Sequence, residues 1–496
     1  MNPFEIALSL VILILGIRTT SWHLLNWQLR EYRLDRMRAH LKTEDGKRDF
    51  VTLWYNFWFF KGILPRPKKS ARMLMIIGTF LLLSSVLLYG LLYVNVIITV
   101  QYPLLFLIII WERLTGILVG IAIALSKIPV ELARKILFLK AKRIVKHSKV
   151  KRIGITGSFG KSSTKQILIH LLQSKFGTEN VLYNPGNENN EVAIARLIIK
   201  NKKFFSSSLN RQSKIENRKF LIVEIGAYRR GEIKGVCKFV KPHIGILTGI
   251  NAQHIELFGS QKNIQRAKFE LAESATEKVF FNSDSPLLCQ IAEDMKIEAT
   301  KIPLSLSIAH NLKSEHHQST FEIYGEKMTL PWSGEFFVSN SLLAIECARE
   351  AGMSGAEIAN AFPKLPPLDK ALNMKTLTSD ATLLEDLYSA NPDGVMGAIK
   401  HLGTFGGRKI FVGIPLRELG NEAEEVHRKI FVALEKMSAE VFWLKPDFSE
   451  LGQVICGSLF HGNDILSLKK MLKTLKKNDA ILLESRLPQT ILKLFQ

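Results

Sequence analysis

The chain has 496 residues, enough for more than one domain, and its formal net charge of +22 is unevenly distributed. Residues 1–152 contain 24 Lys and Arg against 8 Asp and Glu, a local charge of +16. Because these charges flank long apolar runs, they favour contact with a membrane surface and disfavour nucleic-acid binding. The four cysteines are widely spaced, which disfavours a disulfide framework or a zinc site.

Three apolar segments near the start of the chain predict membrane-spanning helices. They cover about residues 4–22, 73–100 and 104–126, and the second and third are long enough to cross a bilayer. The first lacks a basic n-region and a small-residue cleavage site, which disfavours a cleaved signal peptide. The Lys/Arg-rich flanks predict an outside N-terminus and everything after about residue 128 inside the cell. Residues 130–149 predict a basic amphipathic helix lying along the inner surface of the membrane, held by anionic headgroups.

A glycine-rich turn follows, between a short apolar strand at 153–155 and a helical pattern at 166–172. Its sequence is G-x-x-G-K-S, in which Gly157 and Gly160 allow backbone N–H groups to approach a phosphate at a helix N-terminus. Lys161 supplies a point charge for the β- and γ-phosphates, and the Ser162 hydroxyl can bind Mg²⁺. The strict P-loop spacing is not met, because Ile155 stands where its first glycine would be. The alternative is an ordinary surface turn.

From Lys151 onward, short apolar strands alternate with helical patterns, which predicts an α/β fold with mostly parallel sheets. The proline-rich stretch 363–367 predicts a linker between two domains. We therefore expect a membrane region at 1–149, a central nucleotide-binding domain at 150–368 and a smaller α/β domain at 369–496. The predicted strands of the central domain and then of the C-terminal domain lie at 221–224, 244–247, 278–282, 381–385, 409–412, near 441 and near 481.

Three residues beyond the glycine-rich turn are candidates for the same site. Glu224 ends a buried strand, where the ligand crevice of a doubly wound sheet lies, and it is a suitable Mg²⁺ ligand. His254 follows the next strand, and Lys268 lies on the helix after it. Each alone has an ordinary explanation, as a helix cap, a buried histidine or a solvated lysine. Their combination after a phosphate-binding turn favours a catalytic site.

The order and spacing of these residues resemble the Mur ligases, ATP-dependent amide-forming enzymes of peptidoglycan precursor synthesis. In the C-terminal domain, residues 385–392 resemble the D-D-x-Y-N-A-N-P motif of the D-alanyl-D-alanine-adding (MurF) type, and 418–420 with His427 resemble its E-L-G…H. The resemblance covers roughly residues 150–490. The motifs that carry it in the central domain are Thr156-Gly157-Ser158-x-Gly160-Lys161-Ser162, Gly186-Asn187-x-Asn189-Asn190-Glu191, Glu224-x-Gly226-Ala227, His254-x-x-x-Phe258-Gly259 and Ala267-Lys268-x-Glu270.

The resemblance implies a Mur-ligase central domain followed by a Rossmann-like C-terminal domain, with ATP and Mg²⁺ as cofactors. Ser162 and Glu224 would hold one metal ion and His254 a second. Lys268 would react with CO₂ to form a carbamate that acts as a metal ligand, so that Lys161, His254 and Lys268 are the implied catalytic residues. The implied contacts to the ATP phosphates come from Gly157, Ser158, Gly160, Lys161, Ser162 and Ser163.

Five asparagine and aspartate residues receive further roles from the same resemblance. Asn340 corresponds to an asparagine on the adenine side of the nucleotide, and Asp386 to a contact with its ribose. Asn189, Asn190 and Asn391 would contact the substrates, with Asn391 at the place of the incoming amine. In the implied reaction, ATP phosphorylates a carboxylate, and an amine attacks the resulting acyl phosphate while domain closure excludes water.

The chain departs from the family pattern mainly where substrates are recognised. The membrane segment is expected to replace the usual UDP-binding N-terminal domain, so a lipid-linked acceptor is an alternative to a soluble UDP-linked peptide. A His-Asn pair before Asn340 is replaced by Phe336-Phe337, and an arginine near 366–370 is absent, with Lys370 as a weaker substitute. Residues 413–415 replace a G-D-M motif, and Leu483-Glu484-Ser485-Arg486 stands where the family has K-G-S-R.

Three functions are consistent with this pattern. The first is a MurF-type ligase that joins an amino acid or a D-Ala-D-Ala-like amine to a cell-wall peptide at the inner membrane surface. The second is a Mur-like ligase for another membrane-linked acceptor, as in poly-γ-glutamate synthesis or lipid II modification. The third is a non-catalytic membrane scaffold that binds nucleotide. Because Lys161, Glu224, His254 and Lys268 are all present, the sequence favours an enzyme with a changed substrate.

Overall fold

The computed structural model describes residues 3–42, 67–98, 103–186, 188–206, 218–315, 318–367, 373–387 and 391–495. These residues divide into two compact units, one within 1–137 and the other within 138–496. The first unit is helical and the second is α/β. The predicted fold class is therefore confirmed, and the two units are described separately.

The first unit consists of long apolar helices and one short polar helix. Leu24, Met73, Phe80, Trp111 and Val119 belong to its buried cluster. Among the described residues, three helical stretches are long and apolar enough to cross a membrane by length and composition: Ile6–Leu29, Ala71–Tyr93 and Leu114–Lys146. The helices, the last of which continues into the second unit, are α1 Pro3–Leu29, α2 Leu34–Lys42, α3 Ala71–Ile98 and α4 Pro103–Lys146.

The basic segment 130–149 is not the separate helix that the sequence predicts. Helix α4 continues through Pro129 to Lys146 without a break. Ser126, the nearest candidate cap, donates its hydroxyl to the carbonyl of Ile123, at 2.7 Å, and so starts no new helix. Within the second unit, Phe138 stacks on Phe239 with ring centroids 5.1 Å apart. At this position the apolar face of the basic segment is thus used for protein packing.

The central domain is built on a six-stranded parallel sheet with the order β2-β3-β1-β4-β5-β6. The predicted strands at 221–224, 244–247 and 278–282 are confirmed as β3, β4 and β5. The strands are β1 Lys151–Thr156, β2 Val181–Tyr183, β3 Phe220–Glu224, β4 Ile244–Leu247, β5 Lys278–Asn282 and β6 Thr300–Leu304.

Helices connect these strands and cover the sheet, as expected for βαβ units. A Cβ atom on Gly154 would lie 2.6 Å from Cδ1 of Leu271, so the glycine allows the helix that carries Lys268 to pack closely on β1. The helices are α5 Lys161–Phe176, α6 Glu191–Lys200, α7 Lys202–Ser206, α8 Glu232–Val240, α9 Ile255–Phe258, α10 Gln261–Ser274 and α11 Pro286–Asp294.

A small antiparallel sheet with the order β7-β8-β9 completes the central domain and was not predicted from the sequence. Its inner face contributes Phe321 and Met328 to the main core. The predicted linker at 363–367 begins as a short 3₁₀ turn in which Phe362 is fully buried against Phe321. The elements are β7 His310–Ser314, β8 Ser319–Ile323, β9 Glu326–Leu330, α12 Glu335–Glu350 and α13 Gly355–Ala361.

The C-terminal domain has a five-stranded sheet with the order β10-β11-β14-β12-β13, in which only β10 runs antiparallel among the described strands. The predicted strands of this domain at 381–385, 409–412, near 441 and near 481 are confirmed as β11, β12, β13 and β14. The elements are β10 Asn373–Thr376, β11 Thr382–Asp386, α14 Pro392–Leu402, β12 Lys409–Gly413, α15 Ala423–Lys436, β13 Glu440–Trp443, α16 Ser449–Cys456, α17 Ile465–Leu472, β14 Ala480–Glu484 and α18 Gln489–Leu492.

Candidate functional site

The glycine-rich turn joins the end of β1 to the N-terminus of α5, which is the geometry of a phosphate-binding loop. Gly160 has a φ of +74°, and a Cβ atom there would lie 2.3 Å from the Asn340 side-chain oxygen. A Cβ atom on Gly157 would lie 2.1 Å from the Thr248 hydroxyl. Both positions therefore require glycine.

The polar groups of the turn fit an anionic ligand. The ammonium of Lys161 donates to the carbonyls of Gly157 and Ser158, at 2.7 and 3.1 Å, so its charge is held over the loop. Burial lowers the pKa of Lys161, and the nearby Glu224 partly opposes this shift. The Ser158 hydroxyl is buried and has no hydrogen-bond partner among the described residues. A phosphate oxygen would supply the acceptor that this hydroxyl lacks.

Glu224 and Ser162 lie together, as the predicted metal-binding role requires. Strand β3 is paired in parallel with β1, and Ile155 is the register partner of Glu224, so both strands end at the same edge of the sheet. The Ser162 hydroxyl donates to the Glu224 carboxylate at 3.0 Å, and the Asn189 amide donates to its other oxygen at 3.3 Å. Hydroxyl and carboxylate oxygens are the donors that Mg²⁺ prefers, so these residues fit the ion.

Lys165 also contacts Glu224, together with Ser162 and Asn189, and was not predicted as a site residue from the sequence. Its ammonium lies 3.0 Å from the Glu224 carboxylate, and both side chains are almost fully buried. It also donates to the carbonyls of Asn184 and Gly186. Its position one helical turn after Lys161 could have indicated that it faces the same site.

We predict that Lys165→Met destabilises the protein by about 3–5 kcal/mol, because it leaves the buried Glu224 charge without its partner. The double variant Lys165→Met with Glu224→Gln should be less destabilised than this single variant. Chemical unfolding of the full chain measures both. The control is Lys175→Met on the same helix, where the exposed ion pair with Glu357 contributes below about 1 kcal/mol. Equal losses for Lys165 and Lys175 would contradict the prediction.

Lys268 lies on α10 and is 4% exposed. Its ammonium is 5.8 Å from the centre of the Phe258 ring and donates to the carbonyl of Ala227 at 3.4 Å. Burial, and then the charge of Lys161, lowers the pKa of Lys268 to about 7. A neutral amine is the form that reacts with CO₂, so this environment suits the predicted carbamylation, which stays a prediction.

His254 sits at a left-handed position, with a φ of +63°, immediately before the short helix α9. Its Nδ1 contacts the Glu418 carboxylate, and its ring packs edge-on against Tyr228 at 4.9 Å. Burial lowers the pKa of His254, whereas Glu418 opposes the shift. Among the described residues no three His, Cys, Asp or Glu side chains form a ready metal cluster, so the metal role of His254 stays a prediction.

The central and C-terminal domains contact each other beside this site. The Asn251 amide donates to the Asp393 carboxylate at 2.6 Å and to the Asn391 side-chain oxygen at 3.3 Å. A second contact joins Lys400 to Glu335 at 2.6 Å. Neither Asn251 nor Asp393 was singled out from the sequence, because nothing local indicates a pair so distant along the chain.

Three of the predicted binding residues have structural roles here. Asn190 caps α6 by accepting from the Ala193 N–H at 3.0 Å, and Asn391 caps α14 by accepting from the Gly394 N–H at 3.0 Å. Asn340 is 1% exposed and donates to the Ser163 hydroxyl at 3.0 Å, beneath the phosphate-binding loop. Their contacts with nucleotide or substrate stay predictions.

Asp386 lies at the carboxyl end of β11 and is 9% exposed. Burial raises the pKa of its carboxyl group to about 6. Its neighbour across the sheet is Glu484, the last residue of β14. The predicted contact of Asp386 with the nucleotide ribose stays a prediction.

Comparison with known proteins shows which proteins these elements are similar to. Residues 155–348 match the family model of the Mur ligase middle domain. The chain is similar to the UDP-N-acetylmuramoyl-tripeptide–D-alanyl-D-alanine ligase of Haemophilus influenzae, with 26% identity over 288 residues, covering 56% of this chain and 60% of the relative. The same-named ligase of Treponema pallidum is 25% identical over 313 residues, covering 60% and 62%. The similarity thus spans about three fifths of the length of these relatives.

Two solved structures share the fold. MurF from Acinetobacter baumannii has a TM-score of 0.62 at 20% identity, covering 73% of this chain and 80% of that one. MurF ligase from Thermotoga maritima in complex with ADP has a TM-score of 0.61 at 21% identity, covering 73% and 83%. The chain therefore contains a Mur ligase middle domain and, with its C-terminal α/β domain, has the fold of the MurF-type ligases.

Proposed function

We propose that this protein is an ATP-dependent ligase of the MurF type, which joins the carboxylate of a cell-wall peptide precursor to an amine. The observation that carries the proposal is the cluster around Glu224, where Ser162, Lys165 and Asn189 converge on one buried carboxylate beside the phosphate-binding loop. Lys268, buried and with a lowered pKa, lies in the same domain.

The side chains have separable tasks in this reaction. Lys161 moves its hydrogen bonds from the loop carbonyls to the phosphate oxygens of ATP and stabilises charge on the transferring phosphoryl group. Ser162 and Glu224 would hold one Mg²⁺ and His254 a second, with carbamylated Lys268 as a further metal ligand. When bound, the metal neutralises phosphate charge. The phosphorylated acceptor is an acyl phosphate, and the amine displaces its phosphate to form the amide.

The interface between the two α/β domains protects the acyl phosphate from water. Asn251 of the central domain contacts Asn391 and Asp393 at the start of α14, and His254 contacts Glu418. These contacts hold the amine-binding end of the C-terminal domain against the nucleotide-binding domain. Closure of this kind excludes water and completes the site.

The enzyme is anchored in the inner membrane, with its catalytic domains in the cytoplasm. Three apolar helical stretches, the basic flanking residues and the cytoplasmic supply of ATP support this placement. Anionic lipids contact the basic residues of the membrane region, and the same placement favours a lipid-linked acceptor as the alternative to a UDP-linked one. A ligase for another membrane-linked polymer is the second candidate function.

The decisive experiment measures ADP formation by the full-length protein in detergent micelles. We expect ADP to form only when an acceptor and an amine are both present. The acceptors tested are UDP-MurNAc-tripeptide and a lipid-linked precursor, and the amine is D-alanyl-D-alanine. Turnover with the lipid-linked precursor and amine, but not with UDP-MurNAc-tripeptide and amine, would favour the second candidate. Nucleotide binding without turnover for any acceptor and amine pair would support a non-catalytic scaffold and overturn the proposal.

A further inference from the structure

One segment of the C-terminal domain carries a concentrated positive charge. Residues 465–478, which comprise helix α17 and the turn before β14, contain five lysines and no Asp or Glu. All five side chains are exposed, and none of their ammonium groups forms an ion pair or hydrogen bond among the described residues; they are Lys469, Lys470, Lys473, Lys476 and Lys477. Because like charges repel one another, such a segment favours an anionic partner.

Helix α17 separates its residues between two faces. Leu468, Met471 and Leu475 pack into an apolar core of the domain. The outward face carries one leucine and three lysines at the spacing i, i+3, i+4 and i+7, which aligns them along one side of a helix; they are Leu466, Lys469, Lys470 and Lys473. The leucine is 72% exposed. An exposed apolar side chain beside lysines is typical of a helix that lies in a lipid headgroup layer.

This outward face lies away from the contact with the central domain. The Lys476 N–H donates to the Asp479 carboxylate at 2.9 Å, just before β14 begins. Strand β14 is paired in parallel with β11, so the start of β14 and the end of β11 lie at opposite edges of the sheet. The contacts of Asn391 and Asp393 with Asn251 follow the end of β11. The lysines therefore stay accessible while the two α/β domains are in contact.

The composition of the segment distinguishes a membrane from a nucleic acid. Nucleic-acid sites add arginines that bond to bases, or aromatic side chains on which bases stack, and residues 465–478 contain neither. Lysine is a hydrated point charge that suits headgroup phosphates, and the apolar contact of Leu466 is favourable in a lipid layer. The apolar helical stretches of the first unit would also hold the chain at a bilayer, at a high effective concentration.

We propose that the outward face of α17 docks the C-terminal domain on an anionic lipid surface, with its lysines on headgroup phosphates and Leu466 at the boundary of the acyl chains. The inference rests on the proposed function, because it assumes that the protein is anchored in a membrane. Each lysine near such a surface strengthens the contact about fivefold. The contact brings the C-terminal domain to the surface at which a lipid-linked acceptor would be presented.

The test uses the full-length protein in nanodiscs, without nucleotide or substrate. One set contains phosphatidylcholine alone, and the other contains equal parts of phosphatidylcholine and phosphatidylglycerol. Lysines are acetylated, and mass spectrometry measures the rate at each position. In the anionic nanodiscs, acetylation of Lys469, Lys470 and Lys473 should fall at least about fivefold. It should recover at about 1 M salt, where the Debye length is about 3 Å. The exposed Lys313 and Lys327 of the small antiparallel sheet should react equally in both sets.

Charge reversal gives a matched pair of variants. Lys469→Glu combined with Lys470→Glu should return the acetylation of Lys473 in anionic nanodiscs to its rate in phosphatidylcholine. Lys313→Glu combined with Lys327→Glu changes the net charge equally and should keep the wild-type protection. Because all four side chains are exposed, the Tm should stay unchanged in both variants, which shows that each remains folded.

A third variant isolates the apolar contact. Leu466→Ser should keep protection of the lysines at low salt but lose it at a lower salt concentration than the wild type, because only the electrostatic attraction remains and salt screens it. Protection with the same salt dependence as the wild type would exclude the role of Leu466.

The remaining outcomes separate this proposal from the proposed function. Equal acetylation of the outward lysines in the two sets of nanodiscs would overturn the docking. Protection by a single-stranded oligonucleotide, but not by anionic lipid, would overturn it in favour of a nucleic acid. A protein that enters neither kind of nanodisc would overturn the membrane anchoring itself. Failure of the ligase appears elsewhere, as absent amine-dependent ADP formation, on which the acetylation pattern does not depend.

Discussion

Lys161→Met is expected to lower amine-dependent ADP formation by at least about 10²–10³-fold, the usual loss when a preorganised charge at the transferring group is removed. The structure gives the physical reason. The Lys161 ammonium is partly buried at the loop and bonded only to backbone carbonyls among the described contacts, so phosphate oxygens can replace those carbonyls. Initial rates at saturating ATP measure the effect on the chemical step.

Two comparisons make this result specific. Lys175→Met removes a lysine from the other end of the same helix, where its ion pair with Glu357 is partly exposed, and should leave the rate within about twofold. Nucleotide affinity, measured with a fluorescent ADP analogue, should fall for Lys161→Met and stay unchanged for Lys175→Met. A Lys161→Met enzyme with a normal rate would exclude the phosphate-binding role of the turn.

Lys268→Met is the second substitution with a large expected effect, a loss of about 10²–10³-fold in rate, equivalent to several kcal/mol of metal-assisted stabilisation. Carbamylation explains why a buried lysine would be needed: CO₂ adds to the neutral amine, a proton is released, and a cation becomes an anionic oxygen ligand. Lys268→Arg should be equally inactive, because its guanidinium does not form the carbamate.

The dependence on CO₂ and pH distinguishes carbamylation from a simple cationic role. Since burial lowers the pKa of Lys268 to about 7, the reactive neutral amine dominates above pH 7 and becomes scarce below it. We expect activity in CO₂-depleted buffer to fall at pH 6–7 and to recover when bicarbonate is added, and native mass spectrometry to show a mass increase of one CO₂. Full activity without CO₂ would contradict carbamylation. The Lys268→Arg variant then tests a cationic role, because arginine keeps the positive charge.

The sequence was sufficient for the parts of the molecule that depend on local patterns. Alternating apolar runs located β3, β4 and β5, and the glycine spacing located the phosphate-binding loop. The meeting of Ser162 with Glu224 also followed, because parallel neighbouring strands bring their carboxyl ends to one edge of a sheet.

What the sequence did not predict depends on contacts between distant residues. Lys165 resembles any helical lysine until Glu224, 59 positions later, is brought to 3.0 Å from it. The contact between His254 and Glu418 requires two domains to meet. The strand at His310–Ser314 is mostly exposed and polar, so it lacks the apolar alternation by which strands are recognised.

The two helix-capping asparagines restrict how this protein can evolve. A cap contributes about 1 kcal/mol and tolerates chiefly Asn, Asp, Ser or Thr. Asn190 and Asn391 cap α6 and α14, so we expect substitutions at these positions to be limited to short polar side chains, whether or not the residues also contact a ligand. Lineages that acquire new substrates are therefore expected to vary at neighbouring positions that cap no helix, and to keep a short capping side chain at these two.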